Sequence, residues 1–248
     1  MMRNKIQEIA RIRGQLKKIP LQWKQPLKVI ALLREAAALG DSEAYEELGC
    51  WYRDGDESPK QTYRKDAGLS LKYFRLAAEA GRTYGMVGLA DALTAPYLSG
   101  RRPSSSAPLA EGIRWYQRAC RRGDLAAHFN LAITYRYLGE HKKALYLFRK
   151  AARLGDLSAL LEVARAKLYG IGTRRDVPSA LKQLRSVAAA KYPDANGGHE
   201  AMLLISQVLR EGLLAPRDYS ESIAWLRRAA KTGSATARGL LQDEGLSV

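Results

Sequence analysis

Cysteine is scarce in this 248-residue chain, and the two present, Cys50 and Cys120, occupy unrelated positions. A disulfide-stapled secreted protein built from repeats would repeat its cysteines with the structural period. No apolar run reaches the length of a membrane span. Basic residues also interrupt the N-terminal segment where a secretory signal needs an apolar stretch. These absences predict a protein of a reducing compartment, which we place in the cytoplasm.

The chain also lacks the residue patterns of common catalytic and metal sites. Its three histidines, His128, His141 and His199, have no paired ligand at helical or hairpin spacing. No Ser-His-Asp set, phosphate-binding loop or glycine-rich dinucleotide turn is visible. We therefore expect no enzyme activity, no cofactor and no bound metal.

Acidic residues are too few to balance the basic ones. Lysine and arginine number 41 against 25 aspartate and glutamate, which gives a net charge of +16. Such an excess attracts acidic partners, whether protein, nucleic acid or anionic lipid. Charge alone does not choose among these three classes.

What the chain does contain is a pair of small residues, repeated six times near the end of a helical pattern. The pairs are Ala36-Ala37, Ala77-Ala78, Ala119-Cys120, Ala151-Ala152, Ala188-Ala189 and Ala229-Ala230. In five of the six, a glycine follows three residues after the pair: Gly40, Gly81, Gly123, Gly155 and Gly233. Repetition at this spacing predicts an array of helical hairpins, each contacting its neighbours.

Simple stereochemistry explains the repeat. Glycine enters the left-handed conformation that ends a helix, and the residue after it caps the next helix with a side-chain oxygen. The predicted caps here are Asp41, Asp124, Asp156 and Ser234, and the caps of the alternate helices are Asp66, Asp176 and Asp218. A large residue four places before each pair is expected to fill the space between helices. These residues are Leu32, Tyr73, Trp115, Leu147, Leu184 and Trp225.

The predicted domains are an N-terminal segment, residues 1–26, and a repeat array, residues 27–248. Residues 3–19 form a basic amphipathic helix, and Pro20 and Pro26 bracket Trp23 between it and the array. We favour a cap over the open end of the array, since terminal units need a cover. Membrane binding and an import signal are the alternatives. Polar loops are expected at 56–65, 100–108 and 193–198.

The repeat resembles that of the Sel-one-like repeat family, a relative of the tetratricopeptide repeat. Three segments carry the resemblance in register. They are Ala44, Leu48, Gly49, Tyr52 and Gly55; then Tyr169, Gly170, Gly172 and Asp176; then Ile223, Trp225, Ala229, Ala230 and Gly233. The resemblance implies an all-α, right-handed α-α superhelix of about six helix pairs plus the N-terminal helix. Because members of this family are mostly adaptors and scaffolds, and some are inhibitors of a cognate partner, it implies protein binding without a shared active site.

Arginines recur just before the small pairs and form our candidate partner-binding set. They are Arg34, Arg75, Arg118, Arg149, Arg185, Arg227 and Arg228. In related arrays the first helix of each hairpin lines the concave face, and we take the helices that end in the small pairs to be these. Their arginine side chains are therefore expected to pair there with carboxylates of an acidic protein segment. The function predicted is a non-catalytic adaptor.

Two alternatives remain open. The first is an inhibitor or immunity-type protein that neutralises one effector. The second is a nucleic-acid binder of low specificity. A one-base-per-repeat code is disfavoured, because the terminal glycines from Gly40 to Gly155 lie 41, 42 and 32 residues apart.

Overall fold

The computed structural model describes residues 2–19, 25–55, 63–101, 105–191 and 197–247. Thirteen α-helices account for the secondary structure of these ranges, with no strand among them. The prediction of an all-α fold is confirmed. The predicted positions of Pro20 and Trp23, most of the loop at 56–65 and the residues 193–196 lie outside the described ranges.

The chain divides into two compact units, residues 1–130 and 131–248, with the boundary inside helix α7. The helices of the first unit are α1 (Met2–Lys17), α2 (Pro26–Ala38), α3 (Ser42–Asp54), α4 (Ala67–Glu79), α5 (Thr83–Leu98) and α6 (Ala107–Arg121). Helix α7 (Leu125–Tyr137) is followed by α8 (His141–Arg153), α9 (Leu157–Tyr169), α10 (Val177–Ala188), α11 (Gly198–Glu211), α12 (Tyr219–Lys231) and α13 (Ala235–Asp243). The even-numbered helices carry the small pairs near their ends, and we call them first helices. We call the odd-numbered helices from α3 to α13 second helices.

All seven predicted N-caps are confirmed. The Asp66 carboxylate accepts a hydrogen bond from the Leu69 amide at 2.8 Å, and Asp218 does the same for Glu221. The remaining caps are Asp41, Asp124, Asp156, Asp176 and Ser234. Each cap satisfies one of the amides that the first helical turn leaves unpaired.

The glycines that follow the small pairs end the first helices as predicted. Gly40 has a φ of 93°, and the amide of Asp41 donates back to the carbonyl of Ala36 at 3.1 Å. This six-residue closure is the Schellman motif. It recurs with the first member of the pair as acceptor at Ala77, Ala119, Ala151 and Ala229.

The residue that fills the core differs by one position from the prediction. Tyr73 is only partly buried, whereas Phe74 is fully buried. Its ring lies where a Cβ on Gly49 of α3 or Gly88 of α5 would approach within 2.6 Å. In four other first helices too, the residue three places before the small pair is more buried than the predicted residue four places before it. These more buried residues are Leu33, Tyr116, Phe148 and Leu226. Close approach at the two glycines is what gives this ring its space.

In helix α10 the predicted small pair, Ala188-Ala189, is wrong by one residue. Its buried pair is Val187-Ala188, while Ala189 is exposed. Val187 lies eleven residues after the cap Asp176, the same distance as Ala229 from Asp218. Leu184 is therefore three before the true pair and fully buried, and Arg185 is two before it.

In the first unit, helix α1 packs against α2 and α3. Its Ile12 and Leu16 are buried in one cluster with Leu33 of α2 and Leu48 of α3. Arg13 reinforces the contact by pairing with Asp41 at 2.7 Å and with Glu47. These contacts agree with a capping role, although the domain boundary at residue 26 stays a prediction.

The second unit has its own core between α9 and α13. Fully buried residues from four consecutive helices, among them Leu168 of α9, Leu184 of α10, Ile205 of α11 and Leu226 of α12, form one cluster. Within it the Ser222 hydroxyl hydrogen-bonds the Ser206 carbonyl at 2.9 Å. The small residues thus let first and second helices approach closely enough for this buried bond.

Candidate protein-binding surface

The predicted arginines all lie on first helices, close to the small pairs. Arg34, Arg75 and Arg118 belong to α2, α4 and α6 of the first unit. Arg149, Arg185, Arg227 and Arg228 belong to α8, α10 and α12 of the second unit. Their immediate contacts divide them into two kinds, with and without a carboxylate partner.

Two of the arginines are neutralised by a glutamate on the next first helix. In the first unit Arg75 pairs with Glu111 of α6. In the second unit Arg185 pairs with Glu221 of α12 at 2.9 Å. The glutamate holds the pKa of Arg75 above its usual value through its hydrogen bond, which outweighs partial burial. Charge on these two side chains is therefore largely compensated within the fold.

The two glutamates belong to a small motif that occurs once in each unit. Each accepts a hydrogen bond from the indole of a tryptophan four residues later, Trp115 at 3.3 Å and Trp225 at 3.0 Å. An arginine three residues beyond covers the same ring, at 4.4 Å for Arg118. For Arg228 over Trp225 the corresponding distance is 5.3 Å. The sequence signal is E-x3-W-x2-R, which sequence reasoning missed.

Arg34 and Arg227 find neutral partners instead. The Arg34 guanidinium donates to the hydroxyl of Tyr52 at 2.8 Å and lies over that ring. Arg227 donates to the carbonyl of Ser247 at 3.1 Å. Neither contact cancels the positive charge, since both acceptors are uncharged.

Arg118, Arg149 and Arg228 are exposed and make no ion pair with any residue in the described ranges. For Arg149 the reason is visible in the next first helix. Glu111 and Glu221 lie eight residues before the buried pairs of α6 and α12, and the same position of α10, eight before Val187, carries the uncharged Ser179. These three arginines therefore present uncompensated charge to solvent.

A cavity of about 500 Å³ opens between α3 and α5 in the first unit. Glu46 on its wall is 8% exposed and binds Arg82 at 2.6 and 2.9 Å. Its other oxygen accepts the Gly85 amide at 3.0 Å. Arg82 stands where the second helices α3, α7, α9 and α13 have a capping Asp or Ser, so Glu46 supplies the missing cap from the neighbouring helix.

Two of the histidines make hydrogen bonds within the fold. His128 is buried and bonds the Asp124 carbonyl, and His199 bonds Thr232. Over the part of the chain that the structure covers, no three His, Cys, Asp or Glu side chains gather into a possible metal site. Across the same ranges, every helix falls short of the length or the apolarity that crossing a bilayer requires.

Comparison with known proteins identifies the repeat. The sequence profile of the Sel1 repeat matches residues 42–81, 109–124, 125–156, 157–182 and 199–234, which together exceed half of the chain. Four of these segments begin at the start of a second helix, so the family's unit is a second helix followed by a first helix. We placed the arginine helices on the concave face by taking them as the first helix of each unit, whereas the family's unit has them second. Their position on the concave face stays a prediction.

Similar proteins come from several bacteria. The uncharacterized protein NMB1327 of Neisseria meningitidis serogroup B is 27% identical over 84% of this chain and 47% of its own length. The crystal structure of c5321, a protective antigen of uropathogenic Escherichia coli with an SLR fold, superposes with a TM-score of 0.67 and 26% identity. That match covers 89% of this chain and 45% of the antigen.

A Sel1 repeat protein from Oxalobacter formigenes superposes with a TM-score of 0.60 and 20% identity, over 83% of this chain and 78% of that structure. This likeness supports the solenoid fold alone. The chain spans about half the length of the first two relatives.

Proposed function

Because this chain belongs to the Sel1 repeat family, we propose that it is a non-catalytic adaptor that binds an acidic segment of a partner protein. The observation that carries the proposal is the uncompensated charge of Arg118, Arg149 and Arg228. Exposed guanidinium groups form bidentate bonds with carboxylates and increase the rate of association with acidic partners. The proposal concerns the surface of the first helices, whichever face of the superhelix they occupy.

The paired arginines favour a protein partner over nucleic acid. A phosphate backbone is bound along a continuous positive track, and each neutralised phosphate adds to the salt dependence. In each unit the row of arginines is interrupted by a glutamate, Glu111 in the first and Glu221 in the second. Isolated positive positions match separate carboxylates on a folded or extended acidic segment better than an unbroken phosphate chain.

The test is affinity capture on the full chain from the native extract, with and without nuclease. We expect an acidic protein that is retained after nuclease treatment. The variant R118E/R149E/R228E should lose it, because the three positive contacts become repulsive. The matched control K5E/K17E/K28E makes the same charge change on α1 and α2, which carry none of these three arginines, and should retain the partner. Loss of all captured material after nuclease would instead assign the chain to nucleic-acid binding.

A further inference from the structure

A second cavity of the first unit, about 490 Å³, opens where α4 ends, α5 begins and α6 ends. Part of its lining is apolar and consists of Ala78, Met86 and Trp115. Three arginines, Arg118, Arg121 and Arg122, also line it. One carboxylate, that of Glu79, belongs to the lining as well.

The three guanidinium groups lack a carboxylate partner within the described residues. Arg118 lies over the Trp115 ring at 4.4 Å, which holds its plane in place. Arg122 donates to the Gly81 carbonyl, a neutral acceptor, and Arg121 is exposed at the end of α6. Glu79 is close enough to Arg75 to contribute to raising the pKa of that side chain. The cavity therefore keeps a net positive charge.

This arrangement contrasts with other arginines of the same unit. Arg13, Arg75 and Arg82 each pair with at least one glutamate of the fold. Within the unit, uncompensated guanidinium groups beside an apolar wall come together at this cavity. A guanidinium fixed on an aromatic ring still has N–H donors at its edge.

We propose that this cavity binds one acidic side chain, Asp or Glu, of the segment that the adaptor recognises. The aliphatic part of the side chain would lie on Met86 and Ala78, and its carboxylate would accept hydrogen bonds from Arg118 and Arg121. This inference rests on the proposed function and adds to it the place and chemistry of one contact. Arg121 becomes a partner-binding residue that the repeat pattern does not mark.

The experiment uses the ¹⁵N-labelled full chain and the indole N–H signals of its four tryptophans. W115F assigns the Trp115 signal. The probe is an acetylated and amidated tetraglutamate peptide, with the tetraglutamine peptide, inorganic phosphate and a single-stranded oligonucleotide as comparisons. We expect tetraglutamate to shift the Trp115 signal saturably and tetraglutamine to leave it unmoved.

Charge removal then identifies the groups responsible. R118Q/R121Q should weaken tetraglutamate binding about tenfold or more, since each charged hydrogen bond accounts for about a factor of ten. Arg114 is exposed on the same helix and does not line the cavity. R114Q should therefore keep the affinity within about twofold, on the same scale, and unchanged circular dichroism would show that both variants are folded.

The assignment is overturned if Trp115 does not respond to tetraglutamate, if R114Q weakens binding equally, or if the oligonucleotide binds more tightly at the same signal. Displacement of tetraglutamate by millimolar phosphate alone would assign the cavity to phosphate. The proposed function fails separately, when no nuclease-resistant acidic partner is captured. If R118Q/R121Q still captures that partner with wild-type affinity, the adaptor function stands and the cavity assignment falls.

Discussion

Replacing Glu46 with alanine should destabilise the first unit more than any exposed charge removal. Helix α5 begins after Arg82, whose backbone angles of −75° and 123° match those of the capping Asp156 at −74° and 107°. Arg82 cannot accept the hydrogen bond that an aspartate would accept, so the buried Glu46 does so from α3. Truncation leaves the Gly85 amide buried without an acceptor, whereas Arg82 is 41% exposed and is solvated.

The expected loss is about 2–3 kcal/mol, since a charged hydrogen bond contributes about 1.5–3 kcal/mol and a helix cap about 1 kcal/mol. Urea unfolding followed by circular dichroism measures it, and the melting temperature should fall by about 5–10 °C. The matched control is E35A, because Glu35 is half exposed and pairs with the equally exposed Arg11 at 3.3 Å. Its loss should stay below about 1 kcal/mol.

A rescue variant tests the capping explanation itself. In E46A/R82D the new aspartate occupies a position whose backbone already suits an N-cap. This double variant should be more stable than E46A alone by about 1 kcal/mol. If E46A unfolds within about 0.5 kcal/mol of the wild type, or if R82D brings no recovery, the account of Glu46 as a cap is wrong.

Three further predictions concern stability. G49A should cost more than about 2 kcal/mol, because its Cβ would meet the buried Phe74 ring at 2.6 Å, and F74L should recover part of the loss in urea unfolding. D91N should be more stable than the wild type at pH 7, because partial burial raises the pKa of Asp91 and disfavours its charged form. The advantage should shrink as the pH falls through that raised pKa, where wild-type Asp91 takes up its proton. R13A should cost about 1–2 kcal/mol and increase hydrogen exchange in α1, because it removes the pairs with α3 and its cap.

The controls for these variants follow from the same contacts. A Cβ at Gly14 of α1 would meet nothing within 4 Å, so G14A should stabilise the chain by about 0.5–1 kcal/mol. Destabilisation by G14A would show that the cost of G49A is not specific to Phe74. A D91N advantage that persists unchanged at pH 4 would contradict a titration origin. Unaltered exchange in α1 of R13A would mean that the apolar residues alone hold this helix.

The fold could be predicted from the sequence because its signals are local. Asp66, Asp176 and Asp218 cap helices through residues three places away, and the glycine after each pair closes the helix within six residues. The binding surface was only partly predictable. Its charge balance depends on residues 36 apart, Arg75 with Glu111 and Arg185 with Glu221. Nothing in one local segment indicates which arginine meets a glutamate on the next first helix.

The cavities were also beyond the sequence pattern. Arg82 occupies a position where an aspartate or serine would cap α5, so the sequence shows that a hydrogen-bond acceptor is absent there. It does not show that Glu46, 36 residues earlier on another helix, takes this role. Likewise Arg121 and Arg122 fall just after the small pair and outside the arginine register that the sequence indicated. Tertiary packing brings them beside Trp115 and Met86. Side chains from three helices form this cavity, so only the folded chain reveals it.

The most direct test of the adaptor account is the affinity of the purified captured partner for two contrasting variants. R118Q/R149Q/R228Q removes three uncompensated charges, while R75Q/R185Q removes charges that the fold already neutralises. Isothermal titration at 150 mM salt should show a loss of about tenfold or more for the first variant and less than about threefold for the second. Equal affinities for both variants, or a larger loss for R75Q/R185Q, would contradict it.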